Sequence, residues 1–205
     1  MKKLAIGLLG GTFDPPHVGH LWLAEAAREQ LGLARVLFLP VGTPPHKEGK
    51  TITAVSHRLT MTQLAIQDNP AFTLDTTDAD RKPPHTTVTL LPQIQTRYPD
   101  AQLWLLIGAD SLRDLPAWVE PQRLIQQCQL AVLPRPGVEI DWEVLETAVP
   151  HIRRATQWLD GPSVSLSATQ IRHWAAAGRS LRYLTPPAVL AYIQQHGLYR
   201  QEAMG

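Results

Sequence analysis

Two histidines stand three residues apart in the stretch Leu8 to His20, L-L-G-G-T-F-D-P-P-H-V-G-H. Ahead of them the apolar run Leu4 to Leu9 reads as a buried strand. Behind them Val18 to Leu31 carries apolar and small residues at helical spacing. The sequence therefore predicts a strand, a glycine-rich turn and a helix that opens with His17 and His20 on one face, as i,i+3 neighbours must be. Gly10 and Gly11 allow a ligand to approach backbone where a Cβ would block it. The free N–H groups of a first helical turn attract anions, phosphates above all. Two imidazoles above such a turn suit the phosphate chain of a nucleotide. A single helical histidine, or a Gly-Gly after a strand, is commonly only structural; the chemistry is carried by the whole arrangement. Neither common phosphate cradle is present: glycines at 7, 10, 11 and 19 do not make G-x-G-x-x-G, and there is no Walker lysine.

The remaining chain supplies elements to hold this stretch. Arg35–Leu39, Phe72–Asp75, Leu103–Ile107 and Leu130–Leu133 are strand candidates, and Ser56–Gln67, Thr86–Arg97 and Glu120–Gln127 are helix candidates. Strands alternating with helices argue for an α/β fold, a doubly wound parallel sheet with helices on both faces. In such sheets ligands bind beyond the carboxyl ends of the strands, and the polar motifs follow the apolar runs. Glu139–Val149 reads as a further helix and His151–Leu159 as a late strand. Near the end Thr185 is expected to cap a helix that begins with Pro186 and stops at Gly197.

The 205 residues suit a single domain spanning 1–205, with no repeat or linker. Nineteen basic against eighteen acidic side chains argue against a broad nucleic-acid face. No stretch approaches a membrane span, and the amino-terminal apolar run is too short and poorly flanked for a signal peptide. The lone Cys128 excludes an internal disulfide and reads as a small buried hydrophobe. These features suggest a cytoplasmic protein, with a homo-oligomer left open.

Further candidates follow along the chain. The loop Pro40 to Lys47 presents His46 and Lys47, the lysine either a phosphate contact or a solvated charge. Asp75, Asp78 and Asp80 form either a divalent-cation site or a solvated turn. His85 and Thr86 lead into the following helix. Gly108-Ala-Asp110-Ser111 repeats the strand-then-glycine design, with Asp110 placed for a ribose diol or for a helix cap. Trp118 stands in a loop where an aromatic ring can stack on a flat heterocycle. The other tryptophans, at 22, 104, 142, 158 and 174, are expected in the core. Ser167 and Gln170 make a capping box, which predicts a helix start at Ser167 and a stop at Gly178. With Thr169 and Arg172 this start forms a second anion site.

The segment G-G-T-F-D-P-P-H-V-G-H resembles the H-x-G-H signature of the nucleotidyltransferase superfamily, and its opening G-G-T-F-D-P is similar to bacterial nicotinate mononucleotide adenylyltransferases. G-A-D-S at 108–111 resembles the family's second signature, and L-S-A-T-Q-I-R at 166–172 its I-S-S-T-x-I-R, with Leu166 and Ala168 as departures. Where the family shows Ser-Tyr-Thr, Pro84 and His85 depart from the pattern and Thr86 fits it. The resemblance spans nearly the whole chain and implies a Rossmann-like fold and transfer of AMP from ATP, with Mg²⁺, to nicotinate mononucleotide. It implies catalytic roles for His17, His20 and Arg172. ATP would meet Gly10, Gly11, Thr12, Phe13, Gly19, Gly108, Asp110, Ser167 and Thr169. The mononucleotide would meet His46, Lys47, His85, Thr86 and Trp118, and N–H groups of the turn at 117–119 would receive its carboxylate. No protein ligand to a metal is assigned. Alternatives are another acceptor, nicotinamide mononucleotide or phosphopantetheine, and a non-catalytic nucleotide-binding module.

Overall fold

The computed structural model describes residues 4–43 and 52–200; His46 and Lys47 lie outside them. Six strands form one sheet, all in parallel, in the order β3-β2-β1-β4-β5-β6. They are β1 (Ala5–Gly11), β2 (Arg35–Pro40), β3 (Phe72–Leu74), β4 (Gln102–Gly108), β5 (Gln129–Leu133) and β6 (Thr156–Trp158). The order reverses between β1 and β4, the point at which a doubly wound sheet opens a crevice above its carboxyl ends.

Period-two alternation divides the strand residues between two cores. Ile6, Leu8, Leu37, Leu39, Leu105, Ile107 and Val132 face one side; Leu9, Val36, Phe38, Leu106 and Ala131 face the other. Both faces are covered, which is why these strands read as continuous apolar runs. Helices α1 (Val18–Leu31) and α2 (Val55–Ile66) cover the second face, where Ala24, Ala27 and Ile66 pack. After β3 comes the short turn α3 (Thr77–Asp80), then α4 (Thr87–Arg97) on the first face through Leu90, Leu91 and Ile94. β4 leads into α5 (Ala109–Asp114), a 3₁₀ turn at Leu115–Ala117, and α6 (Pro121–Gln127). Beyond β5 lie α7 (Trp142–Ala148) and α8 (Ile152–Ala155). The closing helices α9 (Ala168–Ala176) and α10 (Pro187–Gln195) pack on α2 through a third cluster of Met61, Ile171, Val189 and Ile193.

Three expectations need correction. The late strand is confined to Thr156–Trp158; its first half is α8, because the Glu146 carboxylate accepts the N–H groups of His151 (2.7 Å) and Arg153 (3.1 Å) and caps a helical turn. Thr185 does not cap the last helix: it is buried, Pro186 takes the cap position and Pro187 the first turn. Trp158 and Trp174 are not core residues, at 36% and 41% exposure, because one lies on the edge strand and the other on the outer face of α9. Cys128 is buried as expected, and burial pushes its thiol up to about 12.

Candidate active site

A cleft of about 550 Å³ opens above the carboxyl ends of β1 and β4, at the switch point. Gly10, Gly11, Thr12, Phe13, His17, Gly19 and His20 line it from one side, and Gly108, Asp110, Trp118, His85 and Thr86 from the other. Ser167 closes one end. A Cβ added at Gly10 would meet nothing within 4 Å, so this glycine leaves bare backbone facing the opening. Phe13 adopts a left-handed backbone (φ 50°), which turns its ring into the core against Phe38 and beneath Gly11.

His17 is not inside α1 but is its N-cap, with extended backbone (φ −144°, ψ 168°), and His20 is the third helical residue. The two rings stack at 3.7 Å between centroids. The His17 backbone N–H donates to His20 Nδ1 at 3.2 Å, so the neutral His20 ring carries its proton on Nε2. The edge of Phe13 packs on His20 at 4.9 Å. Burial, then the Arg135 charge, lowers His17 to about 4. Burial, then His17 and Arg135, holds His20 well below its ordinary value. Both rings are therefore neutral at pH 7, and buried His17 Nδ1 has no hydrogen-bond partner among the described residues. An unpaired buried nitrogen is costly, and a ligand that satisfies it recovers that cost.

Gly108 serves Asp110 directly. A Cβ at position 108 would lie 2.6 Å from Asp110 Oδ1, so only glycine lets the carboxylate fold back over the start of α5. Asp110 forms an ion pair with Arg135, whose other nitrogen donates to the Leu166 carbonyl at 3.2 Å. Arg135 was not among the sequence candidates, yet it is the only lysine or arginine among the described residues that line the cleft. It stands two residues past β5, so the strand-end rule could have found it.

The start of α9 has the predicted capping box: Ser167 N–H donates to Gln170 Oε1 (2.9 Å) and Gln170 N–H to Ser167 Oγ (3.2 Å). Arg172 and Thr169 do not line the cleft. Arg172 Nη1 donates to the Asp14 carbonyl at 2.8 Å and Nη2 to Thr169 Oγ1 at 3.2 Å. Asp14 is itself buried; its carboxylate accepts from the Tyr199 hydroxyl (2.7 Å) and the Thr53 N–H (3.3 Å). Val18 N–H donates to the Leu184 carbonyl (3.0 Å), and buried Arg58 donates to the carbonyls of Thr12, Val41, Gly42 and Thr53 at 2.7–3.0 Å. The loop that delivers the histidines is thus braced from behind by Arg172, which the sequence analysis assigned to the nucleotide, and by Arg58 and Tyr199, which it did not single out.

On the far side, His85 is buried with Nδ1 3.5 Å from Asp78, and its ring fills the space a side chain at Gly42 would need. Arg81 joins Asp78 (2.5 Å) to the Thr86 carbonyl (2.9 Å). Asp75 pairs with Arg97, and Asp80 accepts from Thr76 at 2.6 Å. The three carboxylates thus have separate partners, and no group of three or more His, Cys, Asp or Glu among the described residues could hold a metal ion. Trp118 is half-buried over the first core, but its N–H is committed to the Leu115 carbonyl at 2.9 Å. The turn at 117–119 therefore offers fewer donors to a carboxylate than the sequence suggested.

A parallel switch-point cleft with a histidine-capped helix start defines a phosphate-handling nucleotidyltransferase class, and a family model described as Cytidylyltransferase-like matches residues 8–174. Among curated proteins, one named "Probable nicotinate-nucleotide adenylyltransferase" from Thermomicrobium roseum is 47% identical over 97% of this chain and 94% of its own. Another of that name from Roseiflexus sp. is 44% identical over 98% and 100%. A solved structure of the Plasmodium falciparum nicotinic acid mononucleotide adenylyltransferase complexed with NaAD superposes with a TM-score of 0.78 at 18% identity, covering 96% of this chain and 97% of that one; at that identity it bears on the fold alone. The chain belongs to the nicotinate-nucleotide adenylyltransferase family, within the cytidylyltransferase-like class, and is a transferase.

Proposed function

We propose that this enzyme transfers AMP from ATP to nicotinate mononucleotide, releasing pyrophosphate and forming nicotinate adenine dinucleotide. The observation that carries the reading is the neutral histidine pair at the start of α1, inside the β1/β4 crevice of a chain so similar to its relatives. A phosphate oxygen of the mononucleotide attacks the α-phosphorus in line, the bond to the bridging oxygen breaks, and the electron pair leaves with pyrophosphate. A phosphomonoester is already ionised near neutral pH, so no general base is needed, and rate comes from positioning and charge stabilisation.

In this reading His20 donates through Nε2–H to the α-phosphate and His17 contacts the neighbouring phosphates, over the bare backbone of Gly10 and Gly11 and beside Thr12, Phe13 and Gly19. Gly108 and Asp110 serve the ribose. The α9 start, capped by Ser167 at the end of the cleft, takes the β- and γ-phosphates. Thr169 and Arg172 stand outside the cleft lining and are assigned to the same phosphates by the family resemblance; Arg172 uses two nitrogens internally and keeps further N–H donors. Lys47 and His46 meet the mononucleotide phosphate, and Trp118, His85 and Thr86 its pyridine ring. A divalent cation fits this donor set as a companion of the triphosphate, since Mg²⁺ is commonly held by substrate phosphates and water with few carboxylates. It would supply charge shielding. A cytoplasmic place of action fits a single buried thiol, and no described helix is long and apolar enough to cross a membrane.

The test is incubation with ATP, Mg²⁺ and each mononucleotide in turn, measuring dinucleotide and pyrophosphate. Nicotinate mononucleotide should be preferred at least ~10-fold in kcat/KM, the worth of ~1.4 kcal/mol. Equal or better use of nicotinamide mononucleotide would overturn the acceptor; no pyrophosphate with either would overturn the chemistry.

A further inference from the structure

Residues 161–200 contain no aspartate or glutamate but four arginines, in a chain with eighteen acidic residues. Arg172 is used behind the catalytic loop. The other three, Arg179, Arg182 and Arg200, line one cavity of about 410 Å³ that shares no residue with the nucleotide cleft. Several arginines elsewhere meet carboxylates: Arg28 with Glu25, Arg81 with Asp78, Arg97 with Asp75, Arg135 with Asp110. Arg35, Arg153 and Arg154 have no such ion pair among the described residues, but the cavity that Arg154 lines holds no second arginine. None of the three around the present cavity has an ion pair among the described residues; Arg179 instead lies over the exposed Trp174 ring, 4.6 Å from its centre.

Three like charges around one hollow repel one another, and the fold nonetheless fixes their backbones. Each adjoins a residue in the left-handed region: Gly178 (φ 66°) before Arg179, Tyr183 (φ 67°) after Arg182, Tyr199 (φ 64°) before Arg200. Two of these are tyrosines, for which that conformation is unfavourable. Tyr199 is held there by its bond to Asp14. The carboxyl end of α9 attracts cations, which accounts for Arg179 but not for the convergence of Arg182 and Arg200. The floor is apolar, from Leu181 and Ile193, and the three arginines that line the cavity are exposed. Planar guanidinium forks are matched to phosphate oxygens.

We propose that this cavity is a second anion site, binding a small phosphate-bearing solute apart from the nucleotide cleft. Its walls are the segments that brace the catalytic loop, through Leu184 to Val18 and Tyr199 to Asp14. The probe is inorganic pyrophosphate, titrated calorimetrically into the full chain, into Arg182→Ala/Arg200→Ala, and into Arg153→Ala/Arg154→Ala, which removes the same charge from α8. Binding attributable to the cavity should weaken at least tenfold in the first variant and persist in the second, with the melting temperature of both near the parent's. His20→Ala carries the same titration with the cleft altered and should retain the cavity site. Unchanged binding in Arg182→Ala/Arg200→Ala, or an equal loss in both arginine pairs, overturns the proposal, whichever way the transfer assay turns out.

Discussion

Two of the helix starts that face the nucleotide cleft are finished differently. At α9 the Ser167–Gln170 box satisfies its own donors reciprocally, as a start built for stability does. At α1 the same box is built from imidazoles: the His17 N–H donates to His20 Nδ1 and the stacked His17 ring lies over the His20 N–H, but buried His17 Nδ1 gains no full hydrogen bond. A helix start that leaves polar capacity unspent is less stable than it could be and better prepared for a ligand. In the proposed reading the difference separates the start that acts on the reacting phosphate from the start that holds the β- and γ-phosphates.

The largest effect expected from this contrast is at His20. His20→Ala should lower kcat by about 10²–10³, the usual loss of one donor aimed at developing charge, with an unchanged melting temperature. A variant within threefold of the parent would erase the distinction between the two starts. Next comes Arg135→Ala, which removes a charge-assisted contact worth about 1.5–3 kcal/mol and should cost roughly 10- to 100-fold in kcat/KM for ATP. It also removes the smaller of the two causes that hold His17 at about 4. The His17 pKa should therefore rise, stopping short of 6.5 because burial remains, as read by NMR titration of the ring; an unmoved value would separate Arg135 from the histidines. Tyr199→Phe deletes the hydroxyl that holds Asp14, worth about 1 kcal/mol, and should reduce kcat about fivefold while KM for ATP changes little. Partial recovery is not expected with ligand in excess, since the defect is in the position of the loop. The smallest kinetic effect belongs to Ser167→Ala, which should lower stability by about 1 kcal/mol, read by denaturant unfolding, and change turnover less than threefold. A loss of turnover larger than that at Arg135 would reverse the comparison.

What was legible in the sequence is what short-range pattern encodes. The strand-turn-helix at Ala5–Leu31 could be read because glycines, histidines and an amphipathic run follow one another without a gap. The parallel sheet could be read because both-face burial leaves unbroken apolar strands. The capping box at Ser167 needs only four residues. Arg58, Asp14 and Tyr199 could not be read this way, because all but one of the partners of their side chains lie 16 to 185 positions away. Arg58 sits in a helix where a long cation ordinarily faces water, yet here it is 1% exposed among four carbonyls. Arg135 gains its meaning only when β5 is placed beside β4. His151–Leu159 misled because a carboxylate from the preceding helix caps its first turn, a contact no local periodicity contains.

The stacked imidazoles also make the protein a proton acceptor that nucleotide switches on. Empty, the pair sits in a site where burial and Arg135 expel protons. The negative charge of phosphates arriving beside it opposes the Arg135 charge and raises the pair's proton affinity. In the proposed reading, association with ATP is thereby coupled to proton uptake from solution, with a fixed sign: affinity should rise as pH falls from the bound-state value toward 4. The heat of binding then includes the ionisation heat of whatever buffer supplies the proton. The same titration in phosphate and in Tris should give different enthalpies whose difference, divided by the difference in buffer ionisation heats, counts the protons taken up.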